Sequence, residues 1–238
     1  MSGATSTLRQ PGLLLLVPVL PWAGRSDGVP VAAVRLRGVP LFVHAVRAVA
    51  DALGSPVVAA APESVRAVTA ALAAAGLRDV PVVPAGDRIG SALVRVLDRS
   101  QSCAEPVEAV LVHDPRCPLT PPSCLRDAAA AAACDPGAVV VAARAMTDTV
   151  KELVDGVVRA TVDRDGLRVV ASPLVLPVAL LRSLDDAGLL ENCADVDALV
   201  QVVRAAGARL VWISAPAHAR RVGDAASVAV LECLTDVR

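Results

Sequence analysis

Short apolar runs rich in valine and leucine alternate along this chain with alanine-rich stretches of helical periodicity. Continuous Val and Leu runs are typical of parallel strands buried on both faces, and their alternation with helices favours βαβ units with right-handed crossovers. Strands are predicted near 13–19, 56–61, 80–83, 108–113, 137–143 and 209–214, and helices near 41–53, 63–76, 89–99, 121–133, 177–188, 195–206 and 224–235. The pattern predicts an α/β protein whose mostly parallel sheet is flanked by helices.

The length and composition predict one domain over residues 1–238. The chain is 55% hydrophobic with one Phe, two Trp and no Tyr, so alanine, valine and leucine must fill the core. The segment 147–176 differs, because Asp155-Gly156 and Asp165-Gly166 mark turns between short β-prone pieces such as 157–162 and 167–170. This segment is predicted to form a protruding β-arm.

The charge and the cysteine content indicate which binding partners and which cellular compartment to expect for this protein. The formal net charge is −1, which gives no basic surface for DNA or RNA. Six scattered cysteines without a C-x-x-C pair are typical of reduced thiols in a cytosolic protein. The run 13–20 has the composition of a signal-peptide core, but Pro18 and Pro21 interrupt it and it is too short to span a bilayer. We expect a cytoplasmic protein with no nucleic-acid or membrane partner.

The apolar run 108–112 ends abruptly in His113 and Asp114. Ligands of open α/β sheets bind beyond the carboxyl ends of the strands, which makes Asp114 the leading candidate for a metal or substrate ligand. The alternative is a structural carboxylate that caps a turn or the following helix. His44 and His113 are interpreted as structural.

Six segments follow one another in a fixed order from about residue 13 to the C-terminus. They are Pro30-Val-Ala-Ala-Val-Arg-Leu-Arg-Gly-Val-Pro-Leu-Phe-Val-His44, Ala85-Gly86-Asp87-Arg88 with Ser91, His113-Asp114, Thr147-Asp-Thr-Val-Lys151, Thr161-Val-Asp-Arg-Asp-Gly-Leu167 and Ala194-Asp-Val-Asp-Ala-Leu-Val200. Taken together they resemble the 2-C-methyl-D-erythritol 4-phosphate cytidylyltransferases of the non-mevalonate isoprenoid pathway. No single segment is specific, but six in one order are.

The resemblance implies a Rossmann-like sheet of the glycosyltransferase-A type and a homodimer completed by the β-arm. It also implies transfer of CMP from CTP to a sugar-alcohol phosphate with Mg²⁺. The residues it assigns are Asp114 for metal and substrate, Gly86, Asp87 and Ser91 for the cytidine nucleotide, and Thr149, Arg164 and Ser172 for the substrate phosphate, with Arg164 reaching across the dimer. Arg116 is a further candidate for substrate binding, because it lies one position before the place of a family arginine. Each has a plain structural alternative: a hairpin arginine beside acidic residues, a strand threonine, a loop serine or a turn at a helix start.

The chain departs from the family where phosphate binding needs glycine and positive charge. The family's first loop is glycine-rich, whereas the stretch 18–26 contains Pro21 and a bulky Trp22, and only Gly24 and Arg25 remain as possible phosphate contacts.

Lysine is also almost absent, because Lys151 is the only one in the chain. The family lysine of P-K-Q-Y-L falls at Val31, and that of N-I-K-V-T falls at Arg221, which makes Arg221 a catalytic candidate together with Arg25. The arginine of H-D-A-A-R-P falls at Cys117, with Arg116 one position earlier. An arginine is not equivalent to a compact ammonium, although it can contact phosphate bidentately. The survival of Lys151 at the family's D-T-x-K position suggests a role for it.

Two classes of function therefore stay open. The first is a divergent cytidylyltransferase in which Arg25, Arg116 and Arg221 supply the positive charge around the triphosphate. The second is a binding or scaffold protein that keeps the fold and the dimer but has lost turnover, since loss of one preorganised charge donor costs on the order of 10²–10³ in rate. A nucleotidyltransferase for another sugar or alditol phosphate is a third possibility.

Overall fold

A seven-stranded sheet runs through the centre of the computed structural model, which describes residues 12–21, 25–26, 29–101 and 106–235. Side by side, its strands are β13 (Leu210–Ser214), β9 (Val139–Ala145), β12 (Arg168–Pro177), β8 (Ala109–Val112), β1 (Leu13–Val19), β6 (Val57–Ala60) and β7 (Val82–Pro84). All of them run in one direction except β12, which is antiparallel to both of its neighbours. The predicted α/β class with a mostly parallel sheet is confirmed.

Helices cover both faces of this sheet. They are α1 (Leu41–Leu53), α2 (Val65–Ala74), α3 (Ile89–Ser100), α4 (Pro122–Cys134), α5 (Val178–Asp186) and α6 (Val196–Ala205). A further helix, α7 (Ala225–Thr235), packs in a smaller cluster with Leu36 and Leu41. Three two-stranded sheets complete the fold: β2 (Arg25–Ser26) with β3 (Val29–Pro30), β4 (Arg35–Leu36) with β5 (Val39–Pro40), and β10 (Val150–Val154) with β11 (Val157–Val162). Every predicted strand and helix is present, with its ends within two residues of the expected position. No helix in the described ranges has both the length and the apolar character needed to cross a bilayer.

The continuous apolar character of β1 follows from burial on both of its faces. Leu14 and Leu16 belong to the core layer that α3, α5 and α6 cover, whereas Leu15 and Val17 belong to the layer that α1, α2 and α4 cover. Because alternate side chains of a strand point to opposite faces, a strand sandwiched between two helical layers has no position left for a polar residue.

The segment 147–176 divides into two parts, which differs from the prediction of a single arm. Within this segment, β10 and β11 form a hairpin outside the central sheet, whereas residues 171–177 are buried within β12 between β8 and β9. Ser172 and Pro173 lie at a shift of register in β12, since the pairing with β9 jumps from Val170 to Leu174. Two prolines in Ala171–Pro177 hide this strand in the sequence, because proline normally signals a turn or a strand edge.

The hairpin of β10 and β11 is the β-arm in this structure. Its turn is Asp155-Gly156, and both residues have positive φ, 51° and 77°, as a two-residue hairpin turn requires. Across the two strands the Lys151 ammonium donates to the Thr161 hydroxyl. The arm is exposed along its length, and its tip carries apolar side chains that no described residue covers.

Candidate active site

The loop that follows β8 holds the leading candidate residue, Asp114. The His113 backbone N–H donates to the Leu16 carbonyl at 2.8 Å, which extends the parallel pairing of β8 with β1 up to the start of the loop. The chain then turns tightly, because the Cys117 N–H donates back to the Asp114 carbonyl at 2.9 Å. Prolines at 115 and 118 restrict the backbone further. The carboxylate is thus presented from a rigid turn at the carboxyl edge of the sheet.

Asp114 is completely buried, and Arg116 neutralises it. The Arg116 backbone N–H donates to Asp114 Oδ1 at 2.9 Å, Nε donates to the same oxygen at 3.3 Å, and Nη2 donates to Oδ2 at 3.1 Å. A planar guanidinium that meets both carboxylate oxygens gives the strongest and most directional form of ion pair. The structure therefore brings the arginine one position before Cys117 into the site.

Arg221 is a second guanidinium on the same carboxylate. Its Nε lies 3.0 Å from Asp114 Oδ2, and its Nη1 donates to Asp197 Oδ2 at 2.7 Å. Arg221 comes from the segment after β13, and the Val222 N–H donates to the Arg116 carbonyl at 2.7 Å, which ties that segment to the Asp114 loop. The Arg116 and Arg221 side chains are 12% and 16% exposed, whereas the Asp197 side chain is 55% exposed.

The four charges of this cluster cancel formally, since Asp114 and Asp197 oppose Arg116 and Arg221. Burial alone would raise the pKa of Asp114, but the guanidinium groups of Arg116 and Arg221 outweigh it and hold the pKa below its ordinary value. Burial likewise works against the charge of Arg221, yet Asp114 keeps the pKa of that guanidinium above its ordinary value. Both groups are therefore charged at neutral pH.

Ser172 anchors the Asp114 loop from β12. Its Oγ accepts a hydrogen bond from the Asp114 N–H at 2.8 Å and lies 2.8 Å from His113 Nδ1, and all three residues are completely buried. Ser172 lies at the shift of register in β12, where the pairing with β9 is interrupted. In this structure Ser172 positions the loop, and the contact with substrate that the resemblance implies for it stays a prediction.

His113 makes the stability of the protein depend on pH. Burial lowers the pKa of His113 to about 4 from 6.5, although the Asp114 carboxylate opposes this shift. Between these two values the unfolded chain binds a proton that the folded chain does not, so the free energy of unfolding should be constant above pH 6.5 and fall by about 3 kcal/mol toward pH 4. Urea denaturation at pH 7.5, 6.5, 5.5 and 4.5 measures this fall.

Replacement of His113 provides the control for this pH dependence. His113→Asn should flatten the curve between pH 6.5 and 5. Asp114 does not contribute to the change in the free energy of unfolding between pH 6.5 and 5. Its pKa lies below its ordinary value of 3.8, so its stabilising effect is lost only in stronger acid. A stability curve of the wild-type protein that is flat from pH 7.5 to 5 would contradict this assignment.

Cys117 is buried beside Asp114, Arg116 and Arg221. Burial raises the pKa of its thiol to about 12, with Asp114 acting in the same direction. A thiol with so high a pKa stays protonated and is a poor nucleophile. Cys117 is thus a packing residue in the wall of the site.

The predicted nucleotide residues line a separate cleft of about 600 Å³ at the same edge of the sheet. Gly86 and Asp87 follow β7, and Ser91 lies in the first turn of α3, where its hydroxyl donates to the Arg88 carbonyl at 2.7 Å. A Cβ added at Gly86 would lie 2.7 Å from the Ser91 hydroxyl, so glycine keeps this corner open. β7 and β8 are separated by β1 and β6, which places the cleft about 14 Å from Asp114 at the usual strand spacing.

The predicted arm residues form a third group, apart from the Asp114 cluster and from the cleft at Gly86. Thr149 is exposed just before β10, and Arg164 is exposed after β11, where its guanidinium donates to the Thr147 carbonyl. Arg164 also lines a cleft of about 500 Å³ together with Arg168 and Trp212. The structure does not bring Thr149 or Arg164 into contact with the Asp114 cluster within this chain.

Three positions of the first loop cannot be compared with their predictions. Trp22 and Gly24 lie outside the described residues, and for Arg25 only the backbone is described, paired with Pro30 in a short hairpin. Val31 lies in a single 3₁₀ turn. The roles of Gly24 and Arg25 in phosphate binding stay predictions.

The Asp114 site, as it stands in this structure, does not fit a directly bound metal ion. Mg²⁺ in nucleotide sites is usually held by one or two carboxylates together with substrate phosphates. Asp114 supplies one carboxylate, but guanidinium groups lie within hydrogen-bond or ion-pair distance of both of its oxygens. Among the described residues no group of three or more His, Cys, Asp or Glu side chains could hold a metal ion.

The site residues predicted from the sequence do not include Asp197 and Gly90. Asp197 lies in the first turn of α6, where an acidic residue is favourable for the helix and therefore does not indicate a functional site. Gly90 lies inside α3, and its backbone N–H donates to the Cys193 carbonyl at 3.2 Å. A glycine within a helical pattern is a signal for such a close contact.

Comparison with known proteins identifies the family of this chain. The family model of 2-C-methyl-D-erythritol 4-phosphate cytidylyltransferase matches residues 16–232. The enzyme of that name from Saccharopolyspora erythraea is 32% identical over 237 residues, which cover 92% of this chain and 98% of that protein. The one from Frankia casuarinae is 38% identical over 189 residues, covering 73% of this chain and 68% of that protein.

Solved structures show the same fold at lower sequence identity. The crystal structure of the cytidylyltransferase from Thermus thermophilus superimposes with a TM-score of 0.70 at 20% identity and covers 94% of this chain and 98% of that one. The synthase from Anaerococcus prevotii has a TM-score of 0.74 at 12% identity, and the match covers 95% of this chain and 96% of that one. By the family match and the relatives at more than 30% identity, the chain belongs to the 2-C-methyl-D-erythritol 4-phosphate cytidylyltransferase family.

Proposed function

We propose that this protein transfers CMP from CTP to 2-C-methyl-D-erythritol 4-phosphate. In this reaction an oxygen of the sugar-alcohol phosphate attacks the α-phosphorus of CTP, the bond to the bridging oxygen of the β-phosphate breaks, and pyrophosphate leaves. The single observation that carries the proposal is that the family match spans residues 16–232 and includes the buried cluster of Asp114, Arg116 and Arg221. Phosphoryl transfer needs little covalent help from the protein, and oriented positive charge at this edge of the sheet is the main requirement.

In this proposal the Asp114 cluster and the cleft at Gly86 have different roles. Arg116 and Arg221 are held by Asp114, so their guanidinium groups are already oriented before a phosphate binds. The cleft at Gly86 and Ser91 is open enough for the cytidine nucleotide. Mg²⁺ enters this proposal as the ion carried by the triphosphate of the substrate, since Asp114 as placed here has guanidinium partners at both oxygens.

Calorimetry and a product assay test the proposed reaction. CTP with Mg²⁺ should bind with a measurable heat, and addition of 2-C-methyl-D-erythritol 4-phosphate should release pyrophosphate. Release with another sugar-alcohol phosphate, but not with this one, would change the substrate and keep the reaction class. Binding of CTP without any release of pyrophosphate would reject catalysis in favour of a scaffold with the same fold. No binding at millimolar CTP would reject the nucleotide site.

The β-arm supports a proposal of a homodimer. Leu153 and Val158 face each other across β10 and β11 and are 63% and 56% exposed, with Val154 and Val157 next to them at the tip. A cluster of exposed apolar side chains on a projecting hairpin is typical of an association surface, and a second copy of the chain is the partner that the family resemblance implies.

Charged residues at the arm tip should therefore prevent dimer formation. We expect Leu153→Glu combined with Val158→Glu to run as a monomer in light scattering at a concentration where the wild-type protein is a dimer, because two buried charges would oppose the contact. Arg159→Glu on the same strand is the control, since it changes charge without removing apolar surface. A double variant that remains dimeric would contradict the arm interface.

We propose the cytoplasm as its compartment. All five cysteines among the described residues are free thiols, which is the state expected in a reducing environment.

A further inference from the structure

Arg221 is shared between two carboxylates that differ in mobility. Asp114 is completely buried and receives hydrogen bonds from the Arg116 backbone and side chain, so it is fixed in place. Asp197 is more than half exposed, and its side chain accepts a hydrogen bond from Arg221 Nη1 at 2.7 Å. Of the two partners, Asp197 is the one that can leave.

The geometry of Arg221 directs an incoming anion to Nη1, the atom that donates to Asp197. Nε and Nη2 of Arg221 are buried, with the Cys117 thiol, a weak acceptor, beside the guanidinium. Nη1 instead faces the exposed Asp197 carboxylate at the start of α6. A phosphate that approaches from solvent therefore meets Asp197 before it can reach the guanidinium.

The electrostatics lead to the same conclusion. With Asp197 in place the formal charge of the cluster is zero, and without it the charge is +1. A phosphate oxygen and a carboxylate oxygen make the same kind of charge-assisted hydrogen bond to a guanidinium, so they exclude each other at one N–H.

We propose that Asp197 is an internal competitor of the anionic substrate: it occupies Arg221 until a substrate phosphate displaces it, and so weakens phosphate binding. This inference rests on the proposed function, because it assigns a residue that sets the affinity of that same site. The phosphate that displaces Asp197 belongs either to CTP or to the sugar-alcohol phosphate.

The test compares Asp197→Asn with the wild-type protein. Asparagine keeps the size of the side chain and removes its charge, and we expect the dissociation constant for the displacing phosphate to fall about three- to tenfold at low salt. Calorimetry with Mg²⁺ and CTP, and separately with 2-C-methyl-D-erythritol 4-phosphate, identifies which phosphate gains. The gain should shrink as salt is raised, because the competing pair is near the surface.

Two further variants make the result specific. Asp135→Asn makes the same charge change at a surface ion pair with Arg209, and it should leave both dissociation constants unchanged. Asp197→Asn combined with Arg221→Gln should show none of the gain, because the competitor acts only through Arg221.

The possible results separate the inference from the proposed function. Turnover by the wild-type protein with unchanged constants in Asp197→Asn would overturn the competitor and leave the function standing. Weaker binding in Asp197→Asn would also overturn it, since Asp197 would then be a positioning residue for Arg221. Absence of binding and turnover in both proteins would overturn the proposed function and the inference with it.

Discussion

Replacement of Asp114 by asparagine is expected to lower the free energy of unfolding by about 3–5 kcal/mol and kcat/KM by about 10²–10³-fold. The stability falls because Arg116 and Arg221, both mostly buried, lose the charge that compensates them. The activity falls because the same carboxylate orients both guanidinium groups. Urea denaturation and pyrophosphate release, each at a temperature where circular dichroism shows a folded variant, measure the two effects.

A triple variant separates stability from catalysis at this cluster. Asp114→Leu with Arg116→Met and Arg221→Met removes all three buried charges, and replacement of a whole buried ion pair by apolar residues is often neutral for stability. We expect this variant to recover much of the lost stability and none of the activity. Asp135→Asn, at a more exposed ion pair, is the control and should change the stability by less than about 1 kcal/mol. An Asp114→Asn protein of wild-type stability would contradict the charge compensation described here.

Gly90→Ala is expected to destabilise the protein by about 3 kcal/mol, although alanine is ordinarily the better helix former by about 1 kcal/mol. A Cβ at position 90 would clash with the Leu190 carbonyl, lying 2.6 Å from its carbon and closer still to its oxygen. The obstacle is backbone, so no side-chain rotation relieves it, and α3 would have to move away from residues 190–193. Urea denaturation at neutral pH measures the loss.

Gly137→Ala is the matched control for this substitution. Nothing lies within 4 Å of a Cβ at position 137, and its backbone is not in the left-handed region, so the change should have little effect or a small stabilising one. Because Gly90 and Ser91 line the cleft assigned to cytidine, we also expect Gly90→Ala to raise KM for CTP. A Gly90→Ala protein as stable as the wild type would mean that the contact between α3 and residues 190–193 is looser than it is here.

The sequence predicts the alternating strands and helices because burial on both faces leaves a direct mark on composition. β1 is continuously apolar since each of its faces contacts a helical layer, and the same pattern marks β6 and β8. The Asp155-Gly156 turn is predictable for a similar reason, because few residues accept positive φ twice in succession. β12 is hidden, because its prolines normally signal a turn or a strand edge and its place in the sheet depends on pairing with β8 and β9.

The sequence by itself determined the α/β class, the placement of Asp114 at the end of a strand and the family resemblance, since each depends on residues close together in the chain. Only the tertiary structure decided what surrounds Asp114. Arg221, Asp197 and Ser172 come from three distant segments, and they meet because the strand order brings the carboxyl edge of the sheet together there. Contacts between charged groups depend on distances of a few ångströms, and no local pattern in the sequence encodes those.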